Sequence, residues 1–201
     1  MIKSLIFFSF IFLLFNPKTS FSKDKLRKYA IGYYVTNKGD TINGYIKKLK
    51  ATSSCNRIKF KKDNDSRPIE FYPEDIISYK RGGNIFISKN ISDDEFSSKY
   101  FLYLTVKGEL SQYKRWKKRY YKGVNGETKK QVDEINYLEL RGKPIFRVRK
   151  INFRESVSLY LSDNKCLADK IMKKELRSIR LIVNEYNHWH KNRKELKKLT
   201  E

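Results

Sequence analysis

Apolar and polar positions alternate with period two from about residue 31 to residue 150 and recur at three- and four-residue steps after it, which predicts strands followed by helices. Ile31, Tyr33 and Val35 alternate along one strand. Asn37-Lys38-Gly39-Asp40 supplies turn chemistry, and Ile42, Gly44 and Ile46 alternate along the next, so the chain opens on a hairpin. A polar loop is expected around 51–56. Ile58 and Phe60 mark a third strand, and Ile69 and Phe71 a fourth. Pro73-Glu74-Asp75 resembles the first turn of a short helix. Ile76 to Tyr79 and Asn84 to Ser88 flank Arg81-Gly82-Gly83 as a further hairpin, and Ser92 to Ser98 reads as an acidic loop.

From Tyr100 to Val106 both faces are apolar: Tyr100, Leu102, Leu104 and Val106 on one side, Phe101, Tyr103 and Thr105 on the other. That pattern predicts a central strand covered on both faces. Extended chain is expected from Leu110 to Tyr121, a polar turn from Gly123 to Lys130, and strands at Ile135 to Leu140 and Ile145 to Lys150. In the last of these Phe146 and Val148 point one way and Arg147 and Arg149 the other.

After residue 150 the period changes. Val157, Leu159, Tyr160 and Leu161 fit a short helix, and Asp163-Asn164 a break and cap. Leu167, Ala168, Ile171, Met172 and Leu176 fit a second helix. Ile179, Ile182, Val183, Tyr186 and Trp189 form the apolar stripe of a third helix, whose last turns, Lys191 to Glu201, are expected to fray. The stripe fits packing on the sheet, with contact to a partner protein as the other reading. The fold class is therefore α+β: an antiparallel β-rich sheet or partly closed barrel followed by two or three C-terminal helices.

The first 22 residues change the picture. Lys3 precedes an apolar run from Leu5 to Phe15, broken only by Ser9, and Asn16-Pro17 and Ser20-Phe21-Ser22 follow. This is the layout of a secretory signal peptide. As a helix the run would span about 17 Å against roughly 30 Å of bilayer hydrocarbon, so cleavage after Ser22 is expected, with no transmembrane segment in the mature chain. The domain reading is a signal peptide over 1–22, a β-rich domain over 23–150, and a helical segment over 151–201 packing on it. The expected location is exported, in the periplasm or outside the cell.

Charge adds a candidate partner. Lys and Arg number 45 against 22 Asp and Glu, a net charge of +23, which becomes +21 once Lys3 and Lys18 leave with the signal peptide. Such a surface attracts polyanions. The excess is spread along the whole chain, which also fits a lysine-rich background without a ligand. The sharpest local signal is Tyr113-Lys114-Arg115-Trp116-Lys117-Lys118-Arg119-Tyr120-Tyr121-Lys122, where six basic residues interleave with four aromatics. As a strand it places Tyr113, Arg115, Lys117, Arg119 and Tyr121 on one face and Lys114, Trp116, Lys118, Tyr120 and Lys122 on the other. Both faces are mostly charged, as on an exposed edge or a protruding hairpin. Rings that stack and cations that follow phosphates suit nucleic acid or glycolipid. Export makes nucleic acid an unsuitable physiological partner and leaves anionic lipid, lipopolysaccharide or acidic glycan. The competing reading is an edge strand protected by lysines, with its aromatics folded onto the domain.

Other chemistry is thin. Cys55 and Cys166 are the two cysteines, and in an exported chain an even count permits one disulfide. His188 and His190 point about 200° apart on a helix, so a polar face carrying His188, with Trp189 buried, fits better than a metal site. The acidic pairs and triplet at Glu74-Asp75, Asp93-Asp94-Glu95 and Asp133-Glu134 read as solvated or capping, whereas a glycosidase needs two carboxylates across a cleft. No nucleophile elbow, paired helix histidines or phosphate-cradling glycine loop occurs, Gly82-Gly83 reads as a turn, and no cofactor is expected.

Gly32-Tyr33-Tyr34-Val35, Gly39-Asp40-Thr41-Ile42-Asn43-Gly44-Tyr45-Ile46 and Phe71-Tyr72-Pro73-Glu74-Asp75-Ile76 resemble the opening of secreted β-rich proteins of unknown function from Bacteroidota. Similar openings precede some outer-membrane β-barrel proteins of that group. The closing segment, with Leu159, Leu161, Leu167, Lys170-Ile171 and Ile182 to Trp189, is similar to the end of the stand-alone members. The resemblance implies an envelope location and a β-rich module, and it carries over no catalytic or ligand-binding residue. The functional expectation is an exported, non-enzymatic binding or scaffold protein for an anionic envelope component or a protein partner. The alternative is an envelope hydrolase acting on glycan or peptide.

Overall fold

The computed structural model of the chain describes residues 27–93 and 96–200; the expected signal peptide, 1–22, and the acids Asp94 and Glu95 lie outside the described residues. The strands are β1 (Tyr29–Thr36), β2 (Thr41–Lys47), β3 (Ile58–Lys61), β4 (Ile69–Phe71), β5 (Ile76–Arg81), β6 (Asn84–Asp93), β7 (Phe96–Val106), β8 (Leu110–Lys122), β9 (Thr128–Leu140) and β10 (Phe146–Val148). A short helix α1 (Ala51–Ser54) follows β2, and α2 (Phe153–Tyr160), α3 (Lys165–Met172) and α4 (Ile179–Thr200) close the chain. The strands form one antiparallel sheet in the order β10-β9-β8-β7-β6-β5-β1-β2-β3-β4. Its end strands do not pair, so the sheet is open rather than a barrel.

Two meanders make up this order, β1 to β4 and β5 to β10, joined where β5 pairs with β1. Gly32 of β1 lies opposite Gly44 of β2. A Cβ on Gly44 would meet the Phe60 ring at 2.5 Å, and one on Gly32 would meet the Lys80 carbonyl oxygen at 2.0 Å, so both positions need glycine for close approach.

β7 separates two apolar clusters, as its two-sided pattern predicts. Phe101 joins Ile46, Ile58, Phe60, Ile76, Tyr79 and Phe86 on one face. Leu102 joins Ile91, Tyr113, Ile135 and Tyr137 on the other. Across the first face runs an aromatic row from β5 to β8: Tyr79 stacks on Phe86 at 4.6 Å, Phe86 meets Tyr103 at 5.4 Å, and Tyr103 stacks on Trp116 at 5.9 Å.

The third cluster holds the helices to the sheet. Leu110, Leu138 and Leu140 pack with Val157, Leu161, Leu167, Ile171, Ile182, Val183 and Tyr186. The stripe on α4 is thus core, as the packing reading has it. Asn164 caps α3, its side-chain oxygen accepting from the Leu167 N–H at 3.1 Å. Among the described residues no helix is long and apolar enough to cross a membrane.

Four local expectations are corrected. The polar stretch 51–56 contains α1, because Thr52, Ser54 and Cys55 are buried and served from the sheet. The Tyr79 hydroxyl donates to the Ser54 carbonyl at 2.8 Å and Arg81 donates to the Ser54 hydroxyl at 3.0 Å. Pro73-Glu74-Asp75 is a turn without a helix; the Asp75 carboxylate accepts from the Tyr72 N–H at 2.7 Å and β5 begins at the next residue. The loop expected over Ser92 to Ser98 is strand on both sides, with Ser92 opposite Ser97 and the Ser97 hydroxyl bonded to the Asn90 side chain at 2.6 Å. Finally, α4 stays helical to Thr200, through the segment expected to fray. Lys191 and Glu195 approach to 3.9 Å one turn apart, and Lys197 and Lys198 in the last turn complement the helix dipole.

Candidate functional site

The basic-aromatic segment is β8, and its surroundings change along its length. β8 and β9 pair in unbroken register from Leu110 opposite Leu140 to Lys122 opposite Thr128. β7 pairs with β8 only as far as Lys114, and β10 pairs with β9 only from Asn136 to Leu138. Beyond these points the hairpin leaves the sheet. From Lys117 to Lys122 it runs about 17 Å at roughly 3.3 Å per residue. The register puts Lys118, Tyr120 and Lys122 on one face with Lys130 and Val132, and Lys117, Arg119 and Tyr121 on the other with Lys129 and Asp133.

The base of the segment belongs to the body. Tyr113 is buried and donates to Glu139 at 2.7 Å, while Lys89 holds the same carboxylate at 2.6 Å. Burial first, and then this bond to a carboxylate, push the Tyr113 phenol well above its usual range. Lys114 pairs with Glu134 at 2.7 Å. Arg115 is buried with its guanidinium 3.2 Å above the Tyr100 ring. Trp116 is half-buried on Tyr103. The split between β7 and β8 is filled by α1, where the Cys55 carbonyl accepts from the Phe101 N–H at 2.8 Å. Tyr113, Arg115 and Trp116 are therefore structural, which corrects their place in the expected binding set.

The outer half is different. Lys117, Lys118, Arg119 and Tyr120 are exposed, as are Tyr121 and Lys122. Arg119 pairs with Asp133 at 2.8 Å and Lys129 with Glu127 at 3.0 Å. Beside the hairpin, β10 and the residues after it enclose a cleft of about 710 Å³ lined by Lys117, Arg119, Asp133, Ile135, Arg147 and Arg149. Sequence reasoning places Arg147 and Arg149 on one strand face without linking them to β8. The link runs through β9, whose Tyr137 faces Arg147, and needs the strand order. A second hollow, of about 250 Å³, opens where α1 meets β8, with Ser53, Asn56, Trp116 and Lys118 at its walls.

The remaining candidates do not join this site. Cys55 is buried beside β8 and Cys166 is exposed on α3; both are free thiols, so the disulfide that an even count permits is not formed. The two lie in different parts of the molecule, α1 packing against β8 beside the aromatic row and α3 against α2 and α4. Burial pushes the Cys55 thiol up. His188 is exposed beside Asn192, and the His190 Nδ1 lies 3.8 Å from Glu109. Among the described residues no three His, Cys, Asp or Glu side chains are grouped to hold a metal ion. Of the acids, Asp75 is engaged with its own turn, and Asp133 and Glu134 with Arg119 and Lys114. Compared with known proteins, the chain matches no family model, no curated protein and no solved structure.

Proposed function

We propose that this is an exported, non-enzymatic protein of the cell envelope that binds an anionic component through the outer half of the β8–β9 hairpin. The observation that carries the reading is positional: from Lys117 opposite Asp133 outward, past the last partners in β7 and β10, the hairpin holds Lys117, Lys118, Arg119, Lys122, Lys129 and Lys130 against Glu127 and Asp133. The cleft shared with Arg147 and Arg149 extends the same charge toward the body. Cations on an extended ribbon can follow successive phosphates or carboxylates, and partner chemistries that fit are anionic lipid, lipopolysaccharide and acidic glycan. Export rests on the apolar run from Leu5 to Phe15 and the small residues after it.

The test is retention of the purified protein on lipopolysaccharide and on an acidic glycan such as heparin, at low salt and at about 1 M salt, where the screening length falls to roughly 3 Å. Binding that salt releases, and that Lys117→Gln, Lys118→Gln, Lys122→Gln and Lys130→Gln together remove without altering the circular dichroism spectrum, is the expected result. Retention unchanged in the fourfold variant would overturn the assignment of the hairpin.

A further inference from the structure

We infer that the hairpin docks by its tip on an anionic bilayer surface, with Val124 entering the interface and Lys122, Lys129 and Lys130, beside Tyr121 and Tyr120, meeting lipid phosphates. This rests on the reading of the hairpin as an anion-binding element and names its target.

The turn 123–127 ends the ribbon, and Val124 stands at its crest fully exposed, at 105% of its reference area. Tyr120 is 62% and Tyr121 46% exposed, one on each face of the ribbon, each opposite a lysine: Tyr120 opposite Lys130 and Tyr121 opposite Lys129. The acid nearest the crest, Glu127, is paired with Lys129 at 3.0 Å. A soluble polyanion gains nothing from an apolar crest, since its contacts are to the cations alone. Back from the tip the ribbon instead runs from the aliphatic Val124 to Lys122 and then to Tyr121 and Tyr120 beside Lys129 and Lys130, an apolar end followed by cations and amphipathic rings, which matches an acyl boundary followed by the headgroup layer. Tyrosine favours the headgroup level, where its ring is sheltered and its hydroxyl wet, and lysine stems snorkel to keep the ammonium at the phosphates. Lys122 lies about 7 Å behind Val124 along the strand, within the 5–10 Å depth at which interfacial elements bury their apolar face. The unpaired edges of the ribbon remain behind the crest, so only the turn itself needs to enter. Its backbone is partly satisfied internally, with the Gly123 N–H donating to the Glu127 carbonyl at 2.8 Å and the Gly126 N–H to the Gly123 carbonyl at 3.0 Å.

The test uses sedimentation with vesicles of phosphatidylcholine containing about one third phosphatidylglycerol, vesicles of phosphatidylcholine alone, and immobilised heparin. The variant is Val124→Ser, at a fully exposed position outside the basic-aromatic segment, so folding is expected to survive and is checked by circular dichroism. The expected result is a loss of about tenfold or more in affinity for the anionic vesicles with heparin binding unchanged, since burying one aliphatic or aromatic side chain at an interface is worth that much. Separately, Val124→Trp should show a blue-shifted emission with anionic vesicles and none with heparin. Equal binding of wild type and Val124→Ser to anionic vesicles, or no shift from Val124→Trp, overturns the docking inference while leaving anion binding in place. Failure of the wild type to bind either vesicles or heparin overturns the anion-binding reading itself.

Discussion

The carboxamide of Asn187 makes both main-chain hydrogen bonds of Leu110: its Oδ1 accepts from the Leu110 N–H at 2.8 Å and its Nδ2 donates to the Leu110 carbonyl at 2.9 Å. A side chain of α4 thus takes the part of a neighbouring strand at the first residue of β8. Leu110 is fully buried, so neither group has water as an alternative. Asn187→Ala should cost about 1–3 kcal/mol in a urea melt. Asn187→Asp should cost at least as much near neutral pH, because the carboxylate accepts but cannot donate. Gly108→Ala should act on the same contact, since its Cβ would fall 2.3 Å from the Asn187 amide nitrogen.

Tyr160 fixes the join between sheet and helices. Its hydroxyl accepts from the Leu140 N–H at 2.9 Å and donates to the Pro144 carbonyl at 3.0 Å, and its ring stacks on Phe146 at 4.8 Å. Tyr160→Phe keeps the stack and removes both bonds, for an expected loss of about 1–2 kcal/mol. Phe146→Ala should cost more, because β10 is only three residues long and gives up its ring contact with α2. Thermal unfolding of the two variants side by side checks the order.

The thiols give a direct chemical readout. In the native protein Cys166 should react with a thiol reagent and Cys55 should not, since Cys55 is fully buried and its pKa is raised. One equivalent before denaturation and two after is the expected count. Zero in both states under non-reducing conditions would mean a bridge.

Alkaline stability follows from three phenols. Burial raises Tyr79, Tyr113 and Tyr186 above the ordinary tyrosine value, and carboxylates beside Tyr113 and Tyr186 add to it. The unfolded chain releases these protons near pH 10 while the folded chain holds them, so the unfolded state binds fewer protons there. Stability is therefore intact below about pH 10 and falls as pH rises further, by up to about 1.4 kcal/mol per pH unit for each phenol. Urea midpoints between pH 9 and 12, with Tyr113→Phe flattening the slope, check the sign.

Much of the fold is legible in the chain because one face of each element is buried. The two-sided pattern of Tyr100 to Val106 announces a strand between two cores, and the spacing of Ile179 to Trp189 announces the helix stripe. Asn164 reads as a cap because its side chain has one local partner to satisfy. What escapes the sequence depends on distant groups. Ala51 to Ser54 looks like a solvated loop until Tyr79 and Arg81 arrive to satisfy Ser54. In the same way Tyr113, Arg115 and Trp116 look like part of a binding stripe until Glu139, Tyr100 and Tyr103 engage them. Composition marks the hairpin as basic; only the lengths of β7 and β10 show where it leaves its neighbours.

The cluster around Leu110, Leu138 and Leu140 bears on how the chain is made. These leucines face helices encoded after every strand, with Ile182, Val183 and Tyr186 of α4 among their neighbours. During synthesis every strand of the sheet is made before the helices that cover this strip. A chain cut near residue 178 would carry every strand and lose the part of this cover that α4 supplies, together with the bonds from Asn187 to the Leu110 main chain. α4 thus seals the sheet after its strands are made: until it docks, the β architecture is whole and one strip of it is still adhesive.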